Sequence, residues 1–270
     1  MSFIKEIKLL VMDMLCKKMY IFLWLLILLF CVVSLVKQAV PIKGEMGFPQ
    51  CFEFFFSSFT FVFPVLPLFL IFLAYGIIPF FEPFRFIRYK KREHIFLALL
   101  LRIFLIVFLF TVFYLLSGFL VGGLYSGNWN NVWLTKKGLP YAIYGEQLAL
   151  SKYFETWWML IRYIMTSLFL FNLIGIIVVI CYVLIPRYIY SFIIICTLSI
   201  LDKTLQKIYG ISLLNKQLTL GLNEWLRPET FQNISYLFGG IWIVLTVVLY
   251  IIMEKKDYFS NYKSDNGQNT

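Results

Sequence analysis

Charge is scarce in this 270-residue chain, and that scarcity excludes most soluble folds. Charged residues make up 14%, apolar residues 61% and aromatic residues 20%. A soluble domain is about a quarter charged and about half apolar, so one water-facing globule cannot hide this excess. A disordered chain fails on the same figures. His94 is the one histidine, which excludes a histidine-based metal site or triad built within one chain. Five cysteines occur without a C-x-x-C pair, and Cys31, Cys181 and Cys196 lie inside apolar runs. A thiol there acts as a small hydrophobe, and neither a disulfide framework nor a zinc site is indicated. The sequence contains no G-x-x-x-x-G-K-[ST] and no H-E-x-x-H, so P-loop nucleotide hydrolysis and zincin chemistry fall outside it. No internal repeat of the solenoid or inverted-transporter kind is visible.

What the chain does have is apolar runs of spanning length. A membrane helix needs roughly 20 mostly apolar residues, and six stretches qualify, at about 19–36, 59–80, 95–121, 159–185, 188–205 and 234–253. The fourth and fifth come from one long block broken at Pro186-Arg187. Proline removes a backbone donor and arginine is costly in lipid, so a tight hairpin is expected there. The sequence thus predicts an all-α integral membrane protein. Its parts are a helix over 1–18, a six-span membrane domain over 19–253 and a tail over 254–270.

The net charge of +10 is concentrated at the ends of the apolar runs, which points to helix anchoring and not to a nucleic-acid partner. With the N-terminus placed in the cytoplasm, the inner segments hold 13 Lys and Arg in 52 positions and the outer ones 8 in 86. The positive-inside rule therefore predicts cytoplasmic N- and C-termini. Trp129, Trp133, Trp157, Trp158, Trp225 and Tyr236 flank the expected outer ends, where aromatic rings favour the headgroup zone.

Three connecting pieces stand out. Residues 2–16 have a helical period, with Phe3, Ile7, Leu10, Val11 and Met14 on one face, which predicts an amphipathic helix in the cytoplasmic interface. Residues 81–94 join spans two and three and mix aromatics with five cations, with Pro83 suited to a helix start. Such a helix serves either as a lipid-facing anchor or as a docking knob for a cytosolic protein. Residues 202–233 are partly apolar and interrupted by Gly210 and Gly221, which suggests re-entrant helices in the outer leaflet before the last span.

The middles of the expected spans lack ionisable residues, Arg102 and Arg162 lying near enough to a surface to snorkel. A proton-coupled carrier or a buried-carboxylate enzyme is disfavoured on this ground. The order of these parts resembles a permease subunit of a type-2 ATP-binding-cassette exporter, and Arg88-Tyr89-Lys90-Lys91-Arg92 before an apolar span is similar to that family's coupling-helix region.

The resemblance implies a second permease subunit, identical or homologous, and a separate cytosolic ATPase that carries ATP and Mg, with no cofactor on this chain. It implies ATPase docking at Phe84, Arg85, Arg88, Tyr89 and Arg92, in the plasma membrane of a bacterium. Small permeases of this size look like those of antimicrobial-peptide export or self-immunity. The Phe-rich start of span two, with Phe55, Phe59 and Phe63, is then either a substrate path for an amphipathic or lipid-like cargo or plain lipid-facing packing. The competing readings are a non-transporting membrane immunity or scaffold protein and a membrane lipid-modifying enzyme.

Overall fold

In the computed structural model, the described residues are 8, 11–12, 17–39, 47–48, 55–82, 92–138, 141, 154–209 and 228–255. All regular structure among them is helical, and six helices are long and apolar enough to cross a membrane. Helix α1 spans Lys18–Ala39. Its buried positions Tyr20, Leu23, Ile27, Cys31, Ser34 and Leu35 recur every three to four residues and form one inward stripe.

The second spanning segment is irregular. A short turn at Ser58–Thr60 leads into a π-helical turn at Phe61–Val65, then helix α2 at Leu66–Ile77, then a 3₁₀ turn at Ile78–Phe81. Prolines explain both departures. Pro64 and Pro67 lack the amide hydrogens that the Thr60 and Phe63 carbonyls need in an α-helix, so the chain widens and the Leu66 amide donates to the Phe61 carbonyl instead. Pro79 likewise tightens the far end.

Helix α3 spans Arg92–Ser126, α4 Thr156–Leu184, α5 Tyr188–Tyr209 and α6 Pro228–Lys255. Only Ile185, Pro186 and Arg187 separate α4 from α5, a tight hairpin in which the Arg187 amide donates to the Ile185 carbonyl at 2.7 Å. Helix α5 runs four residues past the expected end at 205, through Lys207 to Tyr209. Residues 202–209 contain neither glycine nor proline, and lost hydropathy alone does not stop a helix. Helix α6 starts at Pro228, whose fixed φ suits a first helical position.

Helix α3 packs against α1, α2, α4 and α6, and α4 packs against α3, α5 and α6. Phenyl rings fill the centre. Phe110 has Phe69 at 5.0 Å, Phe171 at 5.1 Å and Phe72 at 5.6 Å between ring centroids. By contrast, only 17% of the spanning part of α5 and of α6 is covered by the rest of the chain, against 61% for the second and fourth spans.

Candidate functional site

Of the residues expected to dock an ATPase, Phe84, Arg85, Arg88 and Tyr89 lie outside the described residues. Most of the 1–18 helix, the 210–227 region and the tail from 256 onward also lie outside them, though Lys8, Val11 and Met12 are helical. Arg92 opens α3, and its guanidinium donates to the backbone carbonyl of Glu254 near the end of α6. Arg92, Glu93, Ile95, Phe96, Tyr250, Met253 and Glu254 line a cavity of about 400 Å³ there, so the end of the basic-aromatic segment is joined to the end of the last helix.

The two arginines expected to snorkel behave differently. Arg102 sits about 15 Å along α3. Its Nε donates to the Gly76 carbonyl at 2.6 Å, and its guanidinium lies 5.8 Å from the Phe80 ring centroid. The 3₁₀ turn after α2 ends the α-helical ladder, and the cation meets the negative end of that helix. Arg162 is 4% exposed and therefore lies within the protein, not along its lipid-facing surface. Buried Asp202 lies at a similar depth on α5, which packs beside α4.

The phenylalanines named as a substrate path divide into two groups. Phe55 is buried, and its carbonyl accepts a hydrogen bond from the Tyr114 hydroxyl. Its neighbour Phe56 lies 4.4 Å from the Tyr163 ring. Phe59 and Phe63 are 49% and 55% exposed, with ring centroids 5.0 Å apart. The ammonium of Lys203 lies 5.0 Å from each of their centroids.

Lys203 falls near the end of the expected span 188–205, where a lone cation reads as a boundary residue. The signal that could have placed it is the unbroken helical sequence up to Tyr209. The turn carrying the rings is tethered, since Thr60 Oγ1 lies 3.0 Å from Ser57 Oγ and donates to Ser34 Oγ on α1 at 3.4 Å.

At the same end, Asn131 clasps the α3–α4 connection. Its Nδ2 donates to the Phe154 carbonyl at 2.7 Å and to Thr156 Oγ1 at 3.1 Å, while its Oδ1 accepts from the Trp133 amide at 3.1 Å. The clasp buries Trp133, 1% exposed, against Phe154 at 5.9 Å. Trp133 is therefore a packing residue and not a headgroup anchor, whereas Trp157 and Trp158 are exposed in keeping with that role.

Two further hollows are almost wholly apolar. One of about 290 Å³ lies between α3, α4 and α6, where Asn172 is a polar lining group whose amide donates to the Leu168 carbonyl at 2.8 Å. The other, of about 580 Å³, lies between the second segment and α5 and is lined by Tyr75, Tyr188 and Phe192 among aliphatic groups. No group of three or more metal-ligating side chains occurs among the described residues. Comparison with known protein families, curated proteins and solved structures finds no match to this chain.

Proposed function

We propose that this chain is the membrane-spanning permease subunit of an ATP-driven exporter for an amphipathic or lipid-like cargo, worked by a separate cytosolic ATPase. The observation that carries the reading is helix α3. It begins where the basic-aromatic segment 81–94 ends, continues for 35 residues, and touches α1, α2, α4 and α6. A force applied to that segment is delivered to four other helices at once, as a rigid-body switch requires.

The packed centre of the bundle supports the same reading indirectly. Phe69, Phe110 and Phe171 close it, so a cargo path belongs between two subunits and not through one. The thinly covered α5 and α6 leave surface for such a partner.

The test is purification of tagged protein in mild detergent. The expected result is an ATPase of about 25–35 kDa at equal stoichiometry, the size of a one- to two-domain chain, which is lost on charge reversal at Arg88. Arg92→Glu serves as a second variant because Arg92 also holds the Glu254 carbonyl. Recovery of the chain alone, with neither reversal changing anything, sinks the reading.

A further inference from the structure

We infer that Phe59, Phe63 and Lys203 form a binding site for an anionic phospholipid, its phosphate on the Lys203 ammonium and an acyl chain along the two rings. Depth comes first. Lys203 is the sixteenth of 22 residues in α5, about 22 Å from the start of the helix and about 9 Å from its end at 1.5 Å per residue. In a hydrocarbon layer about 30 Å thick, that is close to the headgroup boundary. A lysine here has a four-carbon stem long enough to reach water. Instead its ammonium lies 5.0 Å from two ring centroids, a cation–π arrangement.

Those two contacts orient the cation. Two π contacts engage at most two of its three N–H donors, so at least one is left for an acceptor. A phosphodiester carries one negative charge and strong acceptor oxygens, matching one ammonium. An anionic lipid is favoured over a zwitterionic one because the latter brings its own cation to the phosphate. The rings supply the apolar half of the site, each about half exposed at membrane depth.

The site is also held in shape. The π turn forced by Pro64 presents Phe63, and the Ser57–Thr60–Ser34 tether fixes the same turn to α1. Rings held 5.0 Å apart therefore need little reordering to receive a chain, which lowers the entropy cost of binding.

The inference deepens the reading of Phe59 and Phe63 as a path for lipid-like cargo, but it needs no ATPase. Lipid retention and ATPase capture are separate readouts, so failure of one is distinguishable from failure of the other. The experiment is native mass spectrometry of the purified full chain equilibrated with equimolar phosphatidylglycerol and phosphatidylcholine. The expected result is preferential retention of phosphatidylglycerol. Lys203→Gln lowers that retention about tenfold, the factor for one lost charge-assisted hydrogen bond.

Lys203→Arg keeps the retention and reports on folding, and Lys207→Gln, an exposed position one turn on, leaves it unchanged. The Phe59→Ala, Phe63→Ala double variant weakens it. Equal retention of the two lipids by the wild type overturns the inference, as does unchanged retention in Lys203→Gln. Displacement of the lipid by inorganic phosphate at equal concentration overturns it too, since the acyl chain would then contribute nothing.

Discussion

Replacing Phe110 by alanine tests whether the aromatic centre holds the bundle together. The ring is fully buried, and among the described residues its ring neighbours are Phe69 at 5.0 Å, Phe171 at 5.1 Å, Phe72 at 5.6 Å and Tyr114 at 6.3 Å. In a soluble core this truncation costs about 3–5 kcal/mol. Part of that cost is transfer to water, and this part falls away when the unfolded helices remain in lipid as apolar as the core. What remains is the cavity and the lost ring contacts. At about 0.5–1.5 kcal/mol for each aromatic pair, with incomplete additivity, Phe110→Ala should destabilise by about 2–4 kcal/mol. The assay is unfolding of the purified chain in mixed micelles with rising dodecyl sulfate. Phe104→Ala is the control, because that ring is 48% exposed and its loss should cost no more than about 0.5 kcal/mol. Equal shifts for the two variants, or none for Phe110→Ala, would refute the placement of these rings in the bundle centre.

Two further outcomes follow from the hydrogen bonds. Tyr114→Phe removes the donor to the Phe55 carbonyl and should cost about 1–3 kcal/mol in the same assay, the penalty for a buried acceptor left unpaired; a variant as stable as wild type would show that this bond contributes nothing. Asn131→Asp keeps the acceptor for the Trp133 amide but puts a carboxylate oxygen where an amide donated to the Phe154 carbonyl. Limited trypsinolysis at the neighbouring exposed Lys136 and Lys137 should therefore speed up at neutral pH. Acidification should slow it again relative to the wild type at the same pH, because a protonated carboxyl can donate; cleavage that ignores the substitution would show that Asn131 clasps nothing.

The spans were legible in the sequence because the physics that makes them is one-dimensional. Runs of about 20 apolar residues are visible without knowing any contact, and Pro186 marks the α4–α5 hairpin directly. Which face of each span meets protein was not legible. Helices α3 and α4 are apolar almost all round, so no polar stripe distinguishes Phe110, at the centre, from Phe104, at the surface. Trp133 misled for a related reason. A tryptophan near a span end is usually an interfacial anchor, but its burial depends on Asn131 reaching across to Phe154 and Thr156, more than 20 positions away in sequence. Among the candidate path residues, Phe55 and Phe59 are the same residue type four positions apart, and the break in the helix at Phe56-Ser57 sends them to different surroundings.

The cations within the spans differ in how firmly the protein holds them. Arg102 is occupied by the Gly76 carbonyl and the Phe80 ring, and Arg162 is enclosed by protein. Both sit where moving a charge would break buried contacts at substantial cost, which suits structural ties better than a mobile relay. Lys203 differs, since its ammonium rests against two half-exposed π faces. Such a contact is worth about 0.5–2 kcal/mol depending on its desolvation, comparable to a charge-assisted hydrogen bond of about 1.5–3 kcal/mol, so an anionic group can compete for this ammonium. Among the described residues, Arg102 and Arg162 are held by the protein, while Lys203, at the far end of the bundle from Arg92, rests on two ring faces. On the proposed reading, force would enter at the Arg92 end and pass through α3, and an amphiphile would bind at the Lys203 end.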